Sequence, residues 1–480
     1  SLLGSSLLHD IFVVVLKIPN VFRRFFAEGA FSQAFIPVYN EYEEHKTAAE
    51  TKEFINNLSG TLLTFLFGFT LLALFLAPIF ILLFAPGFYF DPLKKDIAVD
   101  VLRIMFPYLG LISLVAFAGG IQNSHKKFSL PAATPVVFNL CIILSAFFLA
   151  PIFSVPIFGL AWGVLLAGII QLLIQLAPLK QIDRLPIPRL DFNNQGVKKV
   201  FFLMLPALLA GGVAQINLLI DTIFASLLIT GSPTWLYVSD RLIQFPLGIF
   251  AIAIGTVLLP TLSKANQNEN FNLFKDQLKK SQKLVMFLAI PSFVGLALCS
   301  DHLISTLFQR GEFTFSDVHQ ASKSLIAFSL GLPFFMLMKV LVPAFFSRQD
   351  TKTPMYAAIA ALISNIILNY IFVFILGYDH AGLALASSIS ASLSCGILFL
   401  ILVNGKYIQL QNPFNRFNLS ILTASIIVGI FLIYGPFNID FNSLSFTERL
   451  LTLLLEVGFS ILLYLGITRV VIGKSLRSLF

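Results

Sequence analysis

Charge is what this sequence has least of. Asp, Glu, Lys and Arg make up 12% of its 480 residues, about half of the roughly 25% found in soluble domains. So small a fraction cannot cover a globule of this length with a solvated surface, which excludes a cytosolic enzyme, a secreted disulfide scaffold and a disordered tail. Cysteine is scarce too: Cys141, Cys299 and Cys395 lie in apolar runs without CxxC spacing or a paired histidine, so they read as small core residues, and no disulfide or metal site is expected. No basic segment precedes an apolar stretch at the start, so no cleavable leader is expected, and the opening Ser1 reads as the edge of a fragment. Catalytic signatures are missing as well. Gly473-Lys474-Ser475 lacks the earlier glycine of a phosphate-binding loop, position 468 being Thr, and neither HExxH nor GxSxG occurs. An enzyme is not expected, and no cofactor.

What is abundant is apolar: 57% of the chain is hydrophobic, with 52 Phe, and the mean hydropathy is +0.88. The charge-free runs 54–90, 104–124, 128–179, 353–378, 381–405 and 417–439 are each long enough to cross a bilayer. The fold class is therefore an all-α polytopic membrane protein. Apolar periodicity with Pro, Gly and charged interruptions predicts thirteen helical spans: 8–42, 53–86, 97–123, 131–150, 156–178, 198–228, 234–263, 282–307, 318–346, 354–377, 381–404, 417–436 and 447–472. Alternate connections differ sharply in charge. One set, ending with the tail from 473, holds 20 Lys and Arg, and the other only Lys94, Lys95 and Arg310. The positive-inside rule puts the first set and the C-terminus in the cytoplasm. The net charge of +8 is thus accounted for by topology, and nucleic acid is not expected as a partner.

The chain also repeats itself. Pro37 and Pro260, Pro131 and Pro354, Ser124 and Ser347, and Gly159-Leu160-Ala161 and Gly382-Leu383-Ala384 are all separated by 223 residues. Two homologous bundles follow, an N-terminal lobe within 1–180 and a C-terminal lobe within 196–403. The two further helices of 417–472 have no counterpart. The helix at 198–228 opens the second bundle, and its counterpart would precede Ser1, so a first helix is expected to be missing from this chain. An even-numbered repeat gives two pseudo-symmetric six-helix lobes of the same orientation, with a substrate path expected between them.

Charged residues within spans cost about 2.5–3.5 kcal/mol each at a bilayer centre on insertion scales, so those that persist need a reason. Asp10, Lys17 and Arg24 are spaced by seven, and Asn20, Arg24 and Glu28 by four, forming a polar stripe on an otherwise apolar helix. Pro19 removes a backbone hydrogen bond beside the stripe and predicts a kink. The segment holds three cations, Lys17, Arg23 and Arg24, to two carboxylates, Asp10 and Glu28, and Arg23 points about 100° away from Arg24, so an anion in a wet cavity is expected. The competing reading is a local Arg24–Glu28 pair with Lys17 reaching an interface. In the second lobe, Asp240-Arg241 precedes Pro246, and Arg241 falls at the repeat position of Ile18, beside Lys17. Local Asp240–Arg241 pairing is equally compatible with the spacing. Asp221, Lys323, Lys339 and Glu456 are further ionisable residues within spans; they suit either coupling-ion or gating positions or buried pairs, and buried pairs are the expectation.

The run from Lys17 to Pro37, with Pro19-Asn20, Arg23-Arg24 and Ala27-Glu28-Gly29-Ala30-Phe31-Ser32-Gln33, resembles the signature of the MurJ (MviN) lipid II flippase family. So do Asp240-Arg241-Leu242 with Phe245-Pro246, and Phe346-Ser347-Arg348-Gln349-Asp350 with Lys352-Thr353-Pro354. The resemblance implies a member of the multidrug/oligosaccharidyl-lipid/polysaccharide exporter superfamily in the bacterial cytoplasmic membrane, with two lobes and an extra C-terminal pair. It implies transport of the undecaprenyl-diphosphate-linked peptidoglycan precursor, lipid II, from the inner to the outer leaflet. By motif it puts cavity arginines at Arg23 and Arg241, whereas the stripe favours Arg24. Glu28 and Asp10 align with further polar cavity positions, and Pro19, Asp240 and Pro246 are candidate hinge or gating residues. Where the family usually has an acid shortly after the second-lobe arginine, this chain has Gln244. The expected partners are lipid II, bilayer lipids and the peptidoglycan synthesis machinery, with a monomeric protein. Coupling is expected to the membrane potential or a monovalent ion, and the 417–472 pair is expected to line a groove for the lipid tail. The alternatives are a drug or cation antiporter or another polyprenyl-diphosphate-glycan flippase of the same superfamily, or a membrane scaffold that transports nothing.

Overall fold

The computed structural model describes residues 3–24, 30–268, 270–408, 415–437, 439 and 441–472, and among them every regular element is helical. Two compact units emerge from the packing: Leu7–Leu227, and Leu228–Phe480 together with Ser1–Ser6. The first unit contains α1 (Leu7–Arg23), α2 (Ala30–His45), α3 (Ala48–Phe75), α4 (Ala77–Phe84), α5 (Pro86–Tyr89), α6 (Pro92–Met105), α7 (Tyr108–Ser124), α8 (Ser129–Phe148), α9 (Pro156–Gln181) and α10 (Gln195–Ser226). The second contains α11 (Ser232–Pro246), α12 (Ala253–Gln267), α13 (Phe271–Leu298), α14 (Ser300–Phe308), α15 (Phe315–Phe346), α16 (Lys352–Tyr370), α17 (Asp379–Asn404), α18 (Arg416–Tyr434) and α19 (Phe446–Ile472). Repeat symmetry assigns α10 to the second bundle, yet it packs with the first unit, chiefly against α2.

Among the described residues, 11 helical segments are long and apolar enough to cross a membrane. Local chemistry sets where they begin. Thr47 accepts from the Glu50 backbone while the Glu50 carboxylate receives the Thr47 N–H, a reciprocal cap that starts α3. Asp91 caps α6 ahead of Pro92, whose missing N–H costs nothing in the first turn. Thr314 and Asp317 repeat the reciprocal cap on α15. Outward faces are apolar: Phe75 is 80% exposed and Phe147 71%, a surface that suits lipid and not water. The first unit buries Ile11, Ile18, Leu102 and Phe106 in one cluster and Phe31, Phe35, Phe54 and Phe117 in another. In the second unit, Leu332, Met336, Val340 and Leu341 of α15 anchor the main core. The pair α18 and α19 is held by a separate cluster, in which Tyr464 donates to the Phe287 carbonyl at 2.7 Å.

The repeat reaches the level of individual backbone bonds. Shifted by 223 residues, the bounds of α3 become those of α13, and the bounds of α9 become those of α17. Lys126 and Gln349, one offset apart, both have φ 61°, and each follows a helix closed by a five-residue return bond: Lys127 N to Gln122 O at 2.9 Å, and Asp350 N to Phe345 O at 3.1 Å. Asp183 and Lys406 form a second such pair, with φ 50° and 62°, closed by Arg184 N to Leu179 O and Tyr407 N to Leu402 O, both at 2.9 Å. These are left-handed helix terminators of the kind glycine usually supplies, built four times without glycine.

Candidate functional site

The polar stripe of α1 is graded in exposure. Asp10 is buried, Lys17, Asn20 and Arg23 are half-buried, and Arg24 is exposed. Arg24 Nη1 lies 3.4 Å from Oε1 of Gln215 on α10, a buried neutral amide. Glu28 lies outside the described residues, so the local Arg24–Glu28 pairing does too. The predicted break at Pro19 takes a different form: α1 runs through it to Arg23, and the backbone changes to π geometry one turn later, at Arg24. A proline lacks the N–H that would close the preceding turn, and the widened turn follows on its C-terminal side, a geometry frequent at functional sites.

The second unit also changes to π geometry at the same repeat position, although its proline stands four residues later in the repeat than Pro19. Pro246 ends α11, and a π segment, Leu247–Ile252, carries the chain into α12; Leu247 is offset from Arg24 by 223 residues. One turn before Pro246, Arg241 is exposed and stacks its guanidinium 4.7 Å from the Tyr237 ring centre. Asp240 does not pair with it. Gln244, one turn on, donates to the Asp240 carboxylate at 3.3 Å. The local Asp240–Arg241 pairing is therefore replaced by a stacked cation beside an amide-capped acid.

The other ionisable residues within spans divide. Lys323 and Lys339 are exposed, contrary to the buried pairs expected for them, because both positions fall on exposed parts of α15; Lys323 donates to Gln320 Oε1 at 3.3 Å, an oxygen that also lies 3.3 Å from His380 Nε2 on α17. Glu456 is buried and does pair, with His302 Nδ1 at 2.9 Å, and the imidazole also stacks on Phe441. Spacing offers no signal for this pair, whose members are 154 residues apart. A buried hub at Asp317, which accepts from Trp235 Nε1 at 3.0 Å and from Ser5, was equally invisible in the sequence.

Outside the spans, the first unit is clamped by Glu43. Arg184 donates to both its carboxylate oxygens, at 2.7 and 3.2 Å, Tyr39 donates at 2.5 Å, and His125 stands 3.5 Å away. Burial works to raise the Glu43 carboxyl, but hydrogen bonds from Arg184 and Tyr39 and the charges of Arg184 and His125 hold it below the usual glutamate value. Among the described residues no group of three or more His, Cys, Asp or Glu is arranged to hold a metal.

The family model for the lipid II flippase MurJ matches residues 1–452. The chain is 40% identical over 493 aligned positions to the probable lipid II flippase MurJ of Vibrio cholerae, covering 100% of this chain and 92% of that protein. It is 36% identical to the lipid II flippase MurJ of Burkholderia cenocepacia, covering 92% and 86%. A solved lipid II flippase MurJ in an inward closed conformation superposes with a TM-score of 0.81 at 28% identity, covering 97% of this chain and 92% of that one. An inward-facing multidrug resistance MATE family transporter of the MOP superfamily shares the fold, at TM-score 0.69 and 13% identity over 85% of this chain. The chain belongs to the lipid II flippase MurJ family, a family of multi-pass membrane transporters.

Proposed function

We propose that this protein carries lipid II from the inner to the outer leaflet of the bacterial cytoplasmic membrane by alternating access, with the diphosphate bound by guanidinium groups of α1 and α11. The observation that supports this reading most is the state of Arg24 and Arg241. Both are exposed on membrane helices, and among the described residues neither has a carboxylate within ion-pairing distance. A diphosphate suits such groups, since arginine is permanently charged and donates in a planar fork. The π turns at Arg24 and after Pro246 supply matched points at which the two helices bend. Lys17, Asn20, Arg23 and Asp10 extend the polar lining, while α18 and α19 guide the lipid tail. The C-terminus is cytoplasmic, and the membrane potential assists, since an anion moving outward gains about 2.3 kcal/mol per charge per 100 mV.

Complementation of a flippase-depleted bacterium, with lipid II accessibility followed at the outer leaflet, tests the reading. Arg24→Ala and Arg241→Ala are expected to abolish rescue at normal membrane abundance. Rescue by both would remove the arginines from the mechanism.

A further inference from the structure

Helix α15 exposes two opposite faces. Lys323, Ile326 and Leu330 are exposed on one, a mostly apolar face that suits lipid. Lys339 comes nine residues after Leu330, halfway round the helix, and is exposed on the other. That second face is the one α15 turns toward α11 and α12. Ala321, five turns before Lys339 on the same line, accepts at its carbonyl from the Ser239 hydroxyl of α11 at 2.7 Å. At Lys339 itself, a Cβ on Gly255 of α12 would stand 2.9 Å from the lysine's carbonyl oxygen and 3.8 Å from its Cβ. Glycine lets the two backbones meet there, so α12 has no side chain at the point where it meets Lys339.

Among the described residues Lys339 has no hydrogen-bond or ion-pair partner, whereas Lys323 donates to Gln320 at 3.3 Å. Every residue of α11, α12 and α15 around it is described. The exposed side of α11 and α12 is continuous, running from Arg241 through Gln244 and Ile252 to Thr256 and Pro260. A cation stands toward each end of this track. Arg241 is at one end, and Lys339 adjoins Gly255, fourteen residues further on, after about 20 Å of helix rise. In the topology proposed above, Lys339 is on the cytoplasmic side, seven residues before α15 ends at Phe346.

We propose that Lys339 is a phosphate-binding position for the substrate, the station at which the diphosphate of lipid II is held on the cytoplasmic side before it reaches Arg241. This rests on the flippase reading. A lysine ammonium is a single, strongly hydrated charge, whereas the arginine fork grips two phosphate oxygens at once. The anion is therefore held more weakly at Lys339 than at Arg241 and passes outward toward the tighter site. A lysine this close to a helix end also has the reach to meet lipid headgroups, and the experiment separates the two.

The test is lipid II translocation by the full chain in proteoliposomes at graded lipid II density, with retention of lipid II in detergent read by native mass spectrometry. Lys339→Gln is expected to raise the half-saturating density about fivefold or more and to weaken retention by a similar factor, with the maximal rate within about twofold and an unchanged melting temperature. Lys339→Arg is expected to keep half-saturation within about twofold of the native value. Lys323→Gln, on the opposite face of the same helix, is expected to change neither reading. Native half-saturation and retention in Lys339→Gln would overturn the proposal, and so would an equal effect of Lys323→Gln. A parallel loss of dioleoyl-phosphatidylglycerol retention in Lys339→Gln would also overturn it, by making the lysine a headgroup anchor. A native chain that neither retains nor moves lipid II would overturn the flippase reading itself, and this proposal with it.

Discussion

The helices α3 and α13 occupy the same place in the repeat, with matching bounds, yet one face is sealed by its own chain and the other holds a cavity. The difference comes from three positions. Asn56, Ser59 and Gly60 let a backbone segment settle on α3, with Ile187 N donating to the Asn56 side chain and the Arg189 carbonyl against Gly60, while Lys279, Gln282 and Lys283 hold the same repeat positions on α13 and line a cavity there. A duplicated bundle can thus keep its helix frame, down to paired left-handed terminators, while the side chains on a matched helix face change from small to long and charged.

Breaking the sealed face should have the largest effect. Gly60→Leu drives a side chain into the Arg189 carbonyl and is expected to cost about 3 kcal/mol or more, seen as loss of folded protein on size-exclusion and in denaturant titration. Next comes the clamp that fastens the same linker. Glu43→Gln removes the carboxylate that Arg184 grips and is expected to cost about 1.5–3 kcal/mol. The corresponding residue in the second unit is Asn266, which reaches the Ser347 carbonyl at 3.4 Å without any charge. This sets a pH signature. The folded Glu43 value lies below the ordinary 4.5, so its contribution is full above that pH and is lost as pH falls through the folded value. Hydrogen exchange around 182–186 should therefore rise on acidification in the native chain, and the Glu43→Gln variant should lose that increment.

Asn56→Ala leaves the Ile187 N–H without its acceptor and is expected to cost about 1–3 kcal/mol, a loss that thermal unfolding would show. The open face should respond far less. Lys283→Gly, which copies the α3 residue into α13, is expected to cost about 1 kcal/mol, the helix-propensity penalty alone. A much larger loss of stability there would mean that Lys283 carries structure, and the contrast between the faces would fail.

Much of this architecture was legible beforehand because it is local or periodic. The 223-residue offset stood in the prolines, and the helix spans stood in the charge-free runs. Pro19 and Pro246 marked where helices would depart from α geometry, although the departure at α1 comes a turn late, at Arg24. The surplus of positive charge in the first span drew attention to Arg24, while for Arg241 spacing alone left pairing with Asp240 open. What could not be read was everything made by distant partners. The Glu43–Arg184 clamp spans 141 residues and the His302–Glu456 pair 154, and no periodicity links such positions. Lys323 and Lys339 misled for a related reason, since apolar neighbours in sequence do not reveal which side of a long helix is packed.

The central claim is that the arginines of α1 and α11 hold the diphosphate. The most direct measurement is lipid II translocation in proteoliposomes by the native chain, Arg24→Ala, Arg241→Ala and their lysine counterparts. The account predicts loss of translocation in both alanine variants, with partial recovery by lysine, at unchanged melting temperature. Translocation at the native rate in the alanine variants would contradict it.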